Sequence, residues 1–280
     1  MKLIPSILAI SAVALLPLGA LADSAASKAL VMEALNEALV KGNADAVPQY
    51  WSPDYIQHNP DIANGLEAQK GLIQFMNSTG AFEADYVRVI ADDDIVAVHA
   101  SYLGFGPKAT IGFDVFRVED GLIVEHWDNL LPEQPLNPSG RSQIDGATEI
   151  TDLDKTEANK AKVAEFLNKS LIERAEIDIT NYINPNKYFQ HNPAVADGLD
   201  GFGAAMAEMA KAGKSMSYSK VHKVIGEGNF VLTMSEGAIG SDPIAFYDLF
   251  RLEDGLIVEH WDVIAPMPGP DAKHNEAGKF

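Results

Sequence analysis

Cysteine is missing altogether from the 280 residues. Its absence removes disulfides, thiolate metal sites, cysteine nucleophiles and any lipidated-cysteine anchor. Cations are also scarce, with 21 Lys and Arg against 40 Asp and Glu, a formal charge of −19. Binding to a phosphate backbone needs clustered cations, and none are clustered here, so nucleic acid is not an expected partner. There is no glycine loop of the kind that cradles phosphates and no nucleophilic-serine motif. A long hydrophobic run occurs only at the start. Lys2 precedes the apolar stretch Leu3 to Gly19, and Ala20-Leu21-Ala22 has the small residues of a cleavage site. Residues 1–22 therefore read as a signal peptide, with export to the periplasm or beyond and no membrane association after cleavage. A spanning helix is the weaker reading, because Pro5 and Pro17 interrupt a run short of the roughly 20 apolar residues required.

What the chain does have is a repeat. "FDVFRVEDGLIVEHWD" from Phe113 returns 134 residues later as "YDLFRLEDGLIVEHWD" from Tyr247, identical at 13 of 16 positions. "YIQHNP" at Tyr55 matches "YFQHNP" at Tyr188 with an offset of 133, and "RVIADDDIV" at Arg88 matches "KVIGEGNFV" at Lys223 with an offset of 135. A period this long implies two whole domains, not a solenoid unit. The expected layout is signal 1–22, domain 23–135, a Pro/Gly/Ser-rich linker 136–154, domain 155–268 and a polar tail 269–280.

Each copy reads in the same order. Val31, Leu35 and Leu39, and again Val163, Leu167 and Leu171, stand at helical spacing. Asp154 with Glu157 resembles a capping box, and Gly42 suits a helix stop. The Gln-His-Asn-Pro segment should be extended, since the residue before proline is pushed out of the α region. A helix follows Gly65 or Gly198. Four β-rich runs then cover 82–90, 95–102, 110–118 and 122–130. Helices followed by antiparallel strands predict an α+β fold, with helices gathered on one face of a curved sheet.

The turn in "VEDGL" decides which side chains share a face. A three-residue loop of Glu119, Asp120 and Gly121 is preferred, with Gly121 in the left-handed position; it pairs Val118 with Leu122 and Asp114 with His126. The alternative, a two-residue turn centred on Asp120-Gly121, pairs Asp114 with Trp127. On the preferred register one face carries Asp114, Phe116, Leu122, Val124, His126 and Asp128, and the copy carries Asp248, His260 and Asp262. An apolar strip ending in carboxylates and an imidazole suits a mostly apolar pocket with a few polar groups at its end. Arg117 and Glu125 on the other face read as a structural ion pair.

Tyr-x-Gln-His-Asn-Pro, followed by Asp-x-Phe-Arg-x-Glu-Asp-Gly-x-Ile-x-Glu-His-Trp-Asp, resembles the SnoaL-like proteins of the nuclear transport factor 2-like superfamily, closest to the predicted aldol-condensing subgroup. The resemblance covers both halves. It implies two tandem cones, each a strongly curved antiparallel sheet wrapped around about three helices, with a pocket at one end. It also implies cofactor-free aldol-type chemistry, with the acid/base aspartate falling on Asp114 and Asp248. His58 and His191 belong to the shared Gln-His-Asn-Pro motif.

Carbon-acid chemistry needs a base near the acidic C–H and a donor for the enolate oxygen. Asp114 is the candidate base, His126 or His58 the donor, and Asp128 the residue orienting an imidazole; Asp248, His260, His191 and Asp262 repeat these roles. The expected ligand is a small hydrophobic or carbonyl-containing molecule, with no cofactor and no metal, although a site of His58, His126 and Asp114 would be the metal alternative. Structural readings stand beside these: Asp128 and Asp262 as turn caps, His58 as the anchor of its own bend, His126 and His260 as satisfied core histidines. A non-catalytic binding protein with the same pocket is the second functional reading. A third is a tandem of cones packed as a pseudo-dimer, burying Trp127 and Trp261.

Overall fold

The computed structural model describes residues 18–80, 82–269 and 275–280. Most of the expected signal segment lies outside these residues. Among the described residues, no helix is long and apolar enough to cross a membrane.

The first half opens with α1 (Leu18–Ala34), which runs on as a π-helical turn to Val40; α2 (Val47–Tyr50) and β1 (Trp51–Gln57) follow, then α3 (Leu66–Thr79). Four strands come next: β2 (Glu83–Asp92), β3 (Ile95–Leu103), β4 (Thr110–Glu119) and β5 (Leu122–Pro132). The second half repeats the plan with α4 (Thr156–Leu167), β6 (Phe189–Gln190), α5 (Gly198–Lys211), β7 (Met216–Glu227), β8 (Phe230–Ile239), β9 (Asp242–Glu253) and β10 (Leu256–Pro266). The sheets run β1-β5-β4-β3-β2 and β6-β10-β9-β8-β7. This is α+β, as expected, with one difference. The extended segment leading to the Gln-His-Asn-Pro motif pairs parallel to the last strand in both halves, while the other four strands are antiparallel. A parallel neighbour is available because a helix and three strands separate the paired segments in sequence.

Periodicity placed the core helices correctly. Val31 and Leu35 are buried in the first half, Val163 and Leu167 in the second, each against the inner face of its own sheet. The capping box does not form. A turn at Leu153–Lys155 precedes α4, so the helix begins at Thr156, whose hydroxyl accepts the Gly228 N–H and donates to the Leu153 carbonyl.

The outer faces of the two sheets form a third apolar cluster. Phe113, Val115 and Trp127 of the first half join Leu232, Tyr247 and Trp261 of the second. Two cations complete it from opposite sides: Arg88 lies 4.1 Å above the Trp261 ring and Lys223 lies 4.1 Å above Trp127. At the centre the fully buried Asn129 donates to the carbonyls of Ala245 and Val263, at 3.1 and 2.7 Å. Asn129→Ala strips both carbonyls of their donor and should destabilise the chain by about 2 kcal/mol. A lower urea midpoint is expected; an unchanged one would mean that this contact does not hold the halves together.

Candidate functional site

Both hairpins turn on two residues, not three. Asp120 and Gly121 have φ of 51° and 74°, and Asp254 and Gly255 have 49° and 75°, the conformation of a primed turn. Glu119 therefore pairs with Leu122 and Val118 with Ile123. Taken alone, that register would have separated the polar residues. A bulge then adds Val124, after which Arg117 pairs with Glu125, Phe116 with His126 and Asp114 with Asp128. The same slip occurs at Val258, and Asp248 pairs with Asp262. The polar set shares a face after all, but Asp114 faces Asp128, not His126. Ile123 occupies the core in place of Leu122 and Val124.

In the first half, His126 Nε2 lies 3.0 Å from Asp114 Oδ1, and the Tyr102 hydroxyl donates to Asp114 Oδ2 at 2.6 Å. His126 Nδ1 lies 2.9 Å from Gln57 Oε1. That oxygen only accepts, so Nδ1 carries a proton, and the Nε2–Asp114 contact holds one further proton between imidazole and carboxyl. Gln57 is itself held, accepting the Asn59 N–H and donating to the Tyr55 hydroxyl. Asn59 donates its side-chain N–H to Asp128 Oδ2 at 2.6 Å. Asp128 does not bond the imidazole as the sequence reading supposed.

The second half repeats the network: His260 Nε2 to Asp248 Oδ1 at 3.1 Å, His260 Nδ1 to Gln190 at 3.1 Å, and Asn192 donating to both oxygens of Asp262. Its tyrosine comes from another strand. Tyr102 on β3 pairs with Ala84, whereas Tyr218 on β7 pairs with Gly237 and donates to Asp248 Oδ2 at 3.0 Å. Large and small residues have traded places across one strand pair, and the hydroxyl reaches the same carboxylate. Comparing the copies position by position sets Tyr102 against Gly237, which is why the tyrosines escaped notice. Gln57, Gln190, Asn59 and Asn192 stood in the quoted motif, but nothing there said that they bond the site.

His58 and His191 are not in this cluster. Their backbone N–H groups bond the carbonyls of His126 and His260, which turns the rings to the outer side of the sheet. There His58 stacks on Trp127 at 4.8 Å and bonds Glu125, which also receives Arg117; His191 stacks on Trp261 at 4.6 Å and bonds Glu259, which receives Arg251. The Arg-Glu pairs expected on the outer face are thus joined by the motif histidines. The two-histidine metal site is not assembled. One atom each of Asp114, His126 and Asp128, and of Asp248, His260 and Asp262, lies within 4.8 Å of the others, a set that can ligate a divalent cation. Doing so would take His126 Nε2 from Asp114. His99 stacks on Phe113 and faces Arg88; burial first, then the guanidinium charge, holds it well below the usual imidazole value.

A cavity of about 590 Å³ opens onto the second cluster. Phe166, Leu171, Met209, Phe250 and Ile264 supply apolar wall, and Asp248, His260 and Asp262 supply polar groups. Burial, then the Asp248 charge, pushes Asp262 up to about 6, against the pull of His260 and Asn192. Burial alone would lower His260, but its bond to Asp248 and the two carboxylate charges outweigh it and hold the imidazole above its ordinary value. The Tyr218 hydroxyl is raised by burial and by Asp248.

Residues 32–126 match the family model of the SnoaL-like domain. Among solved structures, TsrD from Streptomyces laurentii aligns at 23% identity and a TM-score of 0.34, covering 39% of this chain and 90% of that one. An LEH-like epoxide hydrolase from M. tuberculosis aligns at 24% and 0.33, covering 39% and 84%. IdmH from Streptomyces antibioticus aligns at 22% and 0.32, covering 37% and 91%. A search of curated proteins finds no match. The first half is thus similar to the SnoaL-like domain, and the second half repeats the plan of the first.

A raised carboxyl and a raised imidazole act on stability in the same direction. Between about pH 4 and 6 folded Asp262 keeps a proton that the unfolded chain has lost, so stability falls as pH rises. His260 contributes stability that is complete below its unfolded value of 6.5 and is lost as pH rises through the folded value. Asp262→Asn should flatten the decline between pH 4 and 6, worth on the order of 3 kcal/mol. Urea unfolding at stepped pH reads it; an unchanged slope would show that Asp262 ionises normally.

Proposed function

We propose that this chain is an exported, cofactor-independent enzyme performing acid/base chemistry on a small carbonyl compound in the second-half cavity. Aldol-type condensation, isomerisation and dehydration all begin with the same proton abstraction. The observation that carries the reading is an apolar cavity with a hydrogen-bonded carboxylate–imidazole pair and a second, raised carboxyl in its wall. Asp248 is the base that removes the proton next to the carbonyl, and His260 shares the positive charge this requires. Asp262, carrying its proton in part of the population near neutrality, donates to the enolate oxygen as negative charge gathers there. In condensation, the enolate carbon attacks a second carbonyl and the proton held on Asp248 passes to the new alkoxide, so nothing is left over. The repeated Asp114–His126 pair supports the same chemistry in the first half. In this reading the two halves take the places of two subunits, packed through the shared cluster around Trp127 and Trp261.

Incubating the protein with a panel of small ketones and aldehydes, read by mass spectrometry, tests the activity. Asp248→Asn should lower kcat by at least about 100-fold, and Asp248→Asn with Asp114→Asn should abolish turnover with the thermal midpoint retained. A double variant that turns over at the parent rate removes the aspartates from the mechanism. Ligands that bind equally well to parent and variant without product formation would identify a binding protein.

A further inference from the structure

The segments that follow each sheet do not stay with the half they leave. Asn137, just beyond the first sheet, donates to the carbonyls of Gln190 and Val195 in the second half, at 2.6 and 2.9 Å. Asn275, beyond the second sheet, donates to the carbonyls of Asn59 and Ile62 in the first half, at 2.7 Å each. Each takes one carbonyl within a Gln-His-Asn-Pro motif and one in the loop that follows it. The local sequences correspond as well: Asn137-Pro-Ser-Gly-Arg141 against Asn275-Glu-Ala-Gly-Lys279. In each, the Asn side-chain oxygen accepts the N–H of the residue two positions on, Ser139 or Ala277. Each arm also gives a carbonyl to the motif histidine, Ser142 to His191 at 2.8 Å and Gly278 to His58 at 2.9 Å.

The cation closing each arm has a different destination. Arg141 bonds Asp197 through Nε at 3.0 and 2.9 Å and lies 4.2 Å over Phe189. The counterpart of Asp197 is the neutral Asn64; each accepts the backbone N–H of its motif glutamine. With no carboxylate at that rim position, Lys279 reaches further in. It donates to the Asp128 carbonyl at 2.6 Å and lies 3.4 Å from Asp128 Oδ1. In the second half, Pro138 of the arm is solvent-exposed and also lines the cavity, so it forms part of the rim.

We propose that each site is completed by the arm of the other half, and that these exchanged arms determine what each site admits. The 137–142 arm brings Pro138 to the rim of the second cavity. The 275–279 arm brings an ammonium group to the carboxylate of the first. The motif histidines anchor these arms, which accounts for two copies of a histidine that lies outside the acid/base cluster. The proposal concerns access to the sites and stands whether or not the acid/base reading does.

The absence of cysteine supplies a ligand-free test. Ile264, in the cavity wall, is changed to Cys in the full chain, and its labelling by methyl methanethiosulfonate is timed with each arm intact or altered. Asn137→Ala, which frees the 137–142 arm, should raise the labelling rate several-fold. Pro138→Trp, a change at an exposed position that leaves every arm hydrogen bond in place, should lower it several-fold. Asn275→Ala, the same lesion in the other arm, should leave it unchanged. Rates insensitive to both Asn137→Ala and Pro138→Trp would overturn the proposal. So would an acceleration by Asn275→Ala equal to that by Asn137→Ala, because the effect would then be general loosening. Thermal midpoints measured alongside show whether each variant is folded.

Discussion

One extra residue per hairpin, Val124 and Val258, decides which side chains enter each cone. A two-residue primed turn sets a register in which Asp114 would face Trp127, and the carboxylate would then share a face with an outer-surface ring. The bulge restores the alternation one residue late. Everything at the site follows from it: Asp114 opposite Asp128, His126 within reach of Asp114, and Trp127 and Glu125 sent together to the outer face. Because the side-chain period of a strand is two, no smaller adjustment would have served.

This also marks how far the sequence could be read. The repeat, the order of elements along each half and the helix faces follow from local patterns, and local patterns are what a sequence displays. The polar cluster was identified through a turn that does not form; the grouping came out right because the bulge shifts the register by one residue in the opposite sense to the longer loop and so restores the same alternation. A bulge leaves no composition signal in a run such as Leu-Ile-Val. Tyr102 and Tyr218 were hidden for a different reason: their relation is cross-strand, and it appears only once Ala84 is seen opposite Tyr102 and Gly237 opposite Tyr218. His58 and His191 were grouped with the acid/base residues by motif, but a motif carries no information about which side of a sheet a ring takes.

The two halves hold the same hydrogen-bonded skeleton with different electrostatic surroundings. Among the described residues, Asp262 receives the neutral amide of Asn192, whereas Asp128 receives that of Asn59 and has Lys279 beside it as well. The difference traces to a residue outside either cluster, Asn64 against Asp197. One carboxylate at a rim is enough to hold a cation there. Without it, the corresponding cation moves on to the next acceptor, which is the site itself.

The arms also differ in how much chain must be brought together before they can dock. The bond from His191 to Ser142 spans 49 residues, whereas that from His58 to Gly278 spans 220. Closure entropy grows only with the logarithm of length, so the longer contact is little weaker once made. It is, however, among the most non-local contacts in the protein, and such contacts form after local ones. During synthesis the second half meets an arm that has already been made, while the first half folds with its corresponding position uncovered until residues 275–279 arrive. The repeat is symmetric in space and ordered in time.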